Sequence, residues 1–383
     1  MHCSRVWIEN KRTGNVIDKL EGIDKICRSD KGDTFLTIAR SKLVDLSVSR
    51  WYHTISRCVR RAHLLGEGAV AGDRKLWIER RLKELDAIFA VSVGGFAVLD
   101  NHLHLLLRLD PGVVQAWSDE DVVRRWFKLF PPRGSDRRPL TVAKVKELVA
   151  KRLEDAKWLV QTRQRLGSMS WFMKCLKEPL SRLVNKEEKC TGAFFEGRFK
   201  SIAILDEEAL LSVCAYIDLN PVAAGIAETP ETSDHTSVKA RVEHVAGLGR
   251  VKDLQAAKQG SVAGVRASKK LEDGLWLIPI EDRRRFDSKR EGMLESLTLG
   301  NYLMLIEYTG RLVRDGKASI PVGVADIFAR LGSSADAWQV RMQQLCSGRL
   351  IGRFLASSRE RLREAAIKLG VHHLANLDAC PTT

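Results

Sequence analysis

Phe96-Ala97-Val98-Leu99-Asp100-Asn101-His102-Leu103-His104-Leu105-Leu106-Leu107-Arg108-Leu109 is apolar over most of its length, yet it carries two histidines two residues apart. Side chains alternate along a strand, so a strand here places His102, His104, Leu106 and Arg108 on one face. Leu103, Leu105, Leu107 and Leu109 then form the other face and bury it. Two imidazoles projecting from one face can grip a single metal ion. The competing reading is a pair of hydrogen-bonded structural histidines, so a third ligand and a reactive group are required to decide.

Both are offered by a second stretch, from Asp206 to Pro221. Asp206 suits an N-cap, Glu207 and Glu208 suit the positive end of a helix dipole, and Pro221 limits extension. On that helix Leu210, Leu211, Cys214 and Ile217 make the natural buried side. Ser212, Tyr216 and Asn220 are spaced i, i+4, i+8 along another face. A phenol and an amide therefore lie one turn apart. The competing reading makes Tyr216 a packing anchor and Asn220 a helix cap.

Read together, these motifs resemble the one-tyrosine HUH transposases of the insertion-sequence-200-like group, especially the REP-associated tyrosine transposases. His102-Leu103-His104 after Asn101 matches the His-hydrophobe-His motif. Tyr216-Ile217-Asp218-Leu219-Asn220-Pro221-Val222-Ala223-Ala224-Gly225 is similar to the end of the family's tyrosine helix. Gly192-Ala193-Phe194-Phe195-Glu196-Gly197-Arg198-Phe199-Lys200-Ser201 and the opening Trp51-Tyr52-His53-Thr54-Ile55-Ser56-Arg57 also resemble family segments. The likeness covers roughly residues 41 to 245. Asp100 stands where many relatives carry proline, and a long stretch separates the histidines from the tyrosine.

The resemblance implies an α+β fold, an antiparallel ferredoxin-like or RRM-like HUH palm with the histidines on a central strand. It implies Tyr216 as nucleophile, with His102, His104 and Asn220 holding a divalent metal. Imidazole ligands alone favour zinc or another transition metal over magnesium; the preference for Mg or Mn comes from the resemblance. So does a covalent 5′-phosphotyrosine, which leaves a 3′-hydroxyl and conserves the bond's free energy for strand transfer. A phenol is a weak nucleophile, its ordinary pKa being about 10, and a bound cation offsets the charge that builds on the phosphoryl group. The other tyrosines, Tyr52, Tyr302 and Tyr308, are expected to lie outside the chemistry.

Composition agrees. A formal charge of +15 over 383 residues favours a polyanionic partner. Eight cysteines contain no Cys-x-x-Cys and read as scattered thiols of a reducing compartment. No apolar run reaches the roughly 18 residues of a membrane span, so the expected setting is cytoplasmic, at the bacterial nucleoid. Arg57, Arg60, Arg198 and Lys200 are candidate DNA-phosphate contacts, and Phe194 and Phe195 are candidate stacking platforms.

The expected organisation is an N-terminal extension over 1–40, a catalytic domain over 41–248 with a helical insertion at 112–165, and a basic, mostly helical C-terminal region over 249–383. Strands are expected at 51–59, 88–93, 96–109 and 199–205. Helices are expected at 73–89, 119–130, 140–165, 170–189 and 206–220, then near 294–309 and 345–374. Arg283 to Arg285, Arg353, Arg359, Arg361 and Arg363 are either phosphate contacts or an ordinary solvated face. The leading function is nicking and rejoining of single-stranded DNA at hairpin or repeat ends, as a monomer or homodimer. A host-adapted repeat-binding protein of limited mobility is the alternative. An unrelated metal hydrolase is the third class.

Overall fold

The computed structural model describes residues 44–66, 73–258, 270–282, 291–295, 297–315, 320–346 and 354–369. The extension 1–40 and the arginines at 283–285 and 353 lie outside the described residues. Five strands form one sheet in the order β2-β3-β1-β4-β5. They are β1 (Trp51–Arg57), β2 (Val91–Val98), β3 (His102–Leu109), β4 (Lys200–Ile204) and β5 (Phe354–Leu355). Each neighbouring pair among the first four is antiparallel, and β5 runs parallel to β4. With helices on both faces, the fold is mixed α and β.

Between β1 and β2 lies α1 (Arg74–Ile88). After β3 come α2 (Pro111–Ala116), α3 (Asp119–Leu129), α4 (Val142–Leu153), α5 (Ala156–Leu166) and α6 (Met169–Glu187). After β4 come α7 (Glu207–Asp218), α8 (Asn220–Ala223), α9 (Ser237–Gly247) and α10 (Val251–Lys258). The C-terminal region adds α11 (Leu299–Asp315), α12 (Val322–Arg330), α13 (Ala335–Cys346) and, after β5, α14 (Arg359–Leu369). Local chemistry sets many of the starts. Asp73, Ser118, Thr141, Asp155 and Asp206 each accept a backbone N–H in the first turn of the helix that follows.

Four expected elements differ. The helix expected over 140–165 is two, α4 and α5, because Asp155 caps a new start. The stretch 96–109 is two strands, because Leu99-Asp100-Asn101 turns the chain and the Leu99 N–H closes onto the His102 carbonyl at 2.9 Å. Asp and Asn are strong turn formers, and here they outweigh the apolar run. Gly94-Gly95 sits inside β2 as a bulge, where the pairing with β3 shifts register. A Cβ on Gly94 would come within 2.9 Å of both Trp51 and Met293, which explains the glycine. The span 345–374 is not one helix: α13 ends at Cys346 and β5 precedes α14.

The sheet divides the core in two. Leu103, Leu105, Leu107 and Leu109 join Tyr52 beneath α1, α3, α5 and α6, through Ile78, Leu82, Val122, Leu159 and Phe172. On the opposite face Ile55, Leu106, Ile202 and Ile204 meet α7, which the C-terminal helices cover in turn. All of α7 from Ala209 to Asp218 is buried. The face that carries Ser212 and Tyr216 is therefore interior, with α7 enclosed between the sheet and the helices α11 and α13. Tyr302 of α11 donates its hydroxyl to Asp218, whose other oxygen accepts from Ser237 at 2.6 Å and the Val238 N–H at 3.0 Å. Leu205 and Ser357 tie β5 to the start of α7: the Ser357 N–H reaches the Asp206 carboxylate at 2.7 Å, and the Leu205 N–H reaches the Leu355 carbonyl at 2.9 Å.

His235, just before α9, carries a pH-dependent tie. Its Nδ1 pairs with the Glu79 carboxylate, and its Nε2 lies 3.2 Å from Asp73. The hydrogen bond to Glu79 raises its pKa above the ordinary 6.5, with Asp73 adding to the shift. A raised folded-state pKa means the stabilisation is fully present below about pH 6.5 and is lost as pH rises through the folded value. His235→Gln is expected to lower the urea midpoint most near pH 6 and least near pH 9. An equal loss at both pH values would contradict the pairing.

Candidate active site

The register between β1 and β3 builds the site. His104 lies opposite Ile55, and His102 lies opposite Arg57. Alternation therefore puts His53, Ile55 and Arg57 on the same face as the two histidines, and α7 crosses above them. His102, His104, His53 and Tyr216 form one ring cluster. Centroids are 4.8 Å apart for His102 and His104, 5.1 Å for His53 and His104, and 5.5 Å for His104 and Tyr216. Asn220, at the start of α8, brings its amide nitrogen 3.4 Å from His104 Nε2. It also acts on His102, raising its pKa, and on Tyr216, lowering its pKa. The four residues expected to form the centre therefore meet in space, although more than 110 positions separate His104 from Asn220.

Hydrogen bonds orient both histidines. Asn101 Oδ1 lies 2.6 Å from His102 Nδ1, and an oxygen there accepts, so the proton is on Nδ1. His102 Nε2 is then a bare lone pair, buried beside the Asn220 side chain but with no hydrogen bond of good geometry. His104 Nδ1 lies 2.9 Å from His53 Nε2, which leaves His104 Nε2 facing Asn220. Asn220 Oδ1 is likewise buried without a partner. Two unsatisfied acceptors in a dry pocket are costly unless something binds them. A divalent cation fits: His102 Nε2, His104 Nε2 and Asn220 Oδ1 are three neutral donors, the imidazoles held by polar neighbours as metal-binding histidines usually are. Among the described residues no group of three or more His, Cys, Asp or Glu is placed to hold an ion; the Asn220 amide lies beside the two imidazoles.

Burial keeps the imidazoles neutral. It pushes His102 down to about 4, helped by the Arg57 guanidinium, and His53 down to about 3. His104 is pushed well below the ordinary value by burial and by His102 and His53. Their lone pairs are thus available at neutral pH. Burial acts on Tyr216 in the opposite sense and raises its pKa, Cys346 at the end of α13 adding to the rise while Asn220 and Arg57 oppose it. The phenol is 3% exposed.

The DNA-contact candidates gather at one end of the sheet. The Val59 N–H bonds the Phe194 carbonyl at 3.0 Å and the Glu196 N–H bonds the Arg57 carbonyl at 2.9 Å, drawing 192–200 alongside the end of β1. Arg57 is half-buried beside the histidines; Arg60, Arg198 and Lys200 are exposed. Lys200 pairs with Ile55 and so shares the site's face. Phe194 and Phe195 are not free platforms: both are buried in the core beneath the opposite face, edge to face at 4.8 Å. Of the other tyrosines, Tyr52 is buried on that same opposite face, Tyr302 bonds Asp218, and Tyr308 packs on Phe328.

His53 and the orienting role of Asn101 carry no signal in the sequence alone. His53 sits in the opening strand, and only the β1–β3 register shows that it faces His104.

No family model matches this chain, and no curated protein matches it. A solved structure of a REP-associated tyrosine transposase bound to a REP hairpin aligns over 51% of this chain and 80% of that one, at 13% identity and a TM-score of 0.31. Among the described residues no helix is long and apolar enough to cross a membrane.

Proposed function

We propose that this chain is a metal-dependent enzyme that nicks and rejoins single-stranded DNA through Tyr216, on a ferredoxin-like HUH palm of the REP-associated tyrosine transposase kind. The observation that carries this reading is the pair of buried, unpartnered acceptors, His102 Nε2 and Asn220 Oδ1, set around the one tyrosine of the cluster. Tyr216 Oη attacks phosphorus, the bond to the 3′-oxygen breaks, and the phenolic proton is given up while the departing oxygen gains one. The product is a 5′-phosphotyrosine with a free 3′-hydroxyl, and reversal rejoins the strand. His102, His104 and Asn220 would hold Mg or Mn, which would supply positive charge against the reacting phosphate.

The chain's own residues do the remainder. Asn101 and His53 fix the two imidazoles, and burial keeps both neutral. Asn220 and Arg57 favour the ionised form of Tyr216. Arg57, Arg60, Arg198 and Lys200 hold the phosphates of a hairpin or repeat end, in the bacterial cytoplasm at the nucleoid. The domain limits proposed are 41–248 for the catalytic unit, with the insertion at 112–165.

One observation favours the second reading, a host-adapted repeat-binding protein of limited mobility. Tyr216 is buried beside the end of α13 and its pKa is raised, both of which disfavour attack by the phenol. The deciding experiment incubates the full chain with a labelled single-stranded hairpin oligonucleotide and Mg or Mn, then runs a denaturing gel. A covalent adduct that disappears in excess chelator is expected. Binding without an adduct supports the second reading, and an adduct formed at full yield in chelator overturns the metal-dependent mechanism.

A further inference from the structure

The insertion and the first turns of α6 together carry a surface outside the Tyr216 centre. Arg152 stands 4.8 Å over Trp158, and Trp158 meets Trp126 edge-on at 6.4 Å. Trp126 lies 5.6 Å from Trp171, and Arg165 spans both rings, 5.5 Å and 4.8 Å from their centroids. Lys174 closes the row 4.6 Å over Trp171. Cation and indole alternate from α4 through α5 and α3 to α6. All three indoles are part-exposed, and Phe130 at the same end is 45% exposed, tilted against Trp126 at 4.8 Å.

We propose that this row is a second binding surface, for an unpaired strand of nucleic acid outside the Tyr216 centre. Indole rings and the outer plane of an arginine stacked on them both accept a base, and the neighbouring cations match a phosphate every nucleotide. The insertion over 112–165 holds thirteen Lys and Arg against seven Asp and Glu, so its charge suits a polyanion. Two cations of the row touch carboxylates, Arg152 with Asp155 at 3.4 Å and Lys174 with Glu178 at 3.9 Å. Their side chains remain 42% and 52% exposed, and such pairs yield readily to a phosphate.

The row is also continuous with the proposed DNA edge. Lys174 and Lys177 line an open groove of about 360 Å³ with Arg198. Lys177 stands 4.4 Å over Phe195 and donates to the Gly197 carbonyl at 2.9 Å. Two residues beyond Arg198 is Lys200, on the face of the histidines. A strand lying along the row reaches the sheet end that holds His102. The occupant is DNA on the strength of the Tyr216 reading; the surface itself is defined by stacking and charge.

The test uses full-length Tyr216→Phe protein, so that only noncovalent binding is read, and a fluorescent oligothymidylate without hairpin. The triple variant Arg152→Gln, Arg165→Gln, Lys174→Gln is expected to bind about tenfold or more weakly near 0.1 M salt. Its slope of log K against log salt should fall by about 2, from roughly 0.7 per lost cation on a single strand. Because changing the row can disturb α4 to α6, the unaltered row is also mapped by photocrosslinking 5-bromodeoxyuridine oligonucleotide to the Tyr216→Phe protein. Crosslinks at Trp126, Trp158 or Trp171 are expected. Unchanged affinity and slope, or crosslinks confined to residues outside this row, overturn the proposal. Adduct formation by the parent on a short hairpin reports on the Tyr216 centre separately, so either reading can fail alone.

Discussion

Tyr216→Phe is expected to abolish covalent attachment to single-stranded DNA while leaving noncovalent binding close to that of the parent. The ring stays in its pocket between His53, His104 and the end of α13, so packing is retained. Only the hydroxyl leaves, and its loss costs about 1 kcal/mol of stability at most, the usual net worth of one hydrogen bond. Removing a nucleophile is far larger: a fall of 10³-fold corresponds to roughly 4 kcal/mol in the barrier, and no other phenol of the ring cluster can substitute. Tyr52 is on the opposite face of the sheet, and Tyr302 is committed to Asp218. Denaturing gels measure the adduct, and gel shift or fluorescence anisotropy measures binding. An adduct that persists in Tyr216→Phe removes Tyr216 from the mechanism.

Deleting everything after residue 258 is expected to cost the protein its cooperative fold. Leu299, Tyr302, Leu303, Leu305, Ile306, Trp338, Met342 and Leu345 lie in the same core as Tyr216 and its helix. Burying one such side chain is worth roughly 1.5 to 3 kcal/mol. If even half of that burial is against the catalytic unit, the loss is of the order of the 5–15 kcal/mol by which a domain is stable. The truncation also leaves Asp218 buried without the Tyr302 hydroxyl and bares the edge of β4. Far-ultraviolet circular dichroism through a thermal ramp and dye binding to exposed apolar surface measure the effect. A soluble truncated chain melting sharply within a few degrees of the parent would show that the C-terminal helices only decorate the surface.

Local chemistry made much of this visible in advance. Asp206 as an N-cap, the i, i+4 step from Tyr216 to Asn220, and the alternation of His102 with the leucines of β3 are all short-range patterns, and each is where spacing puts it. What spacing does not carry is register and late packing. His53 faces His104 only because β1 pairs with β3 so that His53 meets Leu106, a relation between residues 53 positions apart. The turn at Asp100-Asn101 was hidden inside a run whose hydrophobicity continues on both sides. The helix of Tyr216 has an amphipathic pattern and yet no wet face, because α11 and α13, more than 80 residues later, supply the cover. The metal ligands, the DNA-contact cations and the domain limits are proposals that rest on this geometry.

The parallel pairing of β4 with β5 has a kinetic consequence. Ala203 and Ile204 acquire their outer neighbour from residues about 150 positions downstream. Closing so long a loop costs entropy before any contact repays it, so pairings of this kind form late. During synthesis, then, the antiparallel strands and the first set of helices can assemble while the apolar side of the tyrosine helix still waits for its cover. The emerging chain passes through a stage with an open sheet edge beside exposed Leu210, Leu211 and Ile217, the combination that invites aggregation. Yield of this protein should therefore depend on how quickly the segment around Phe354 arrives, and slow translation between α7 and β5 prolongs the vulnerable interval.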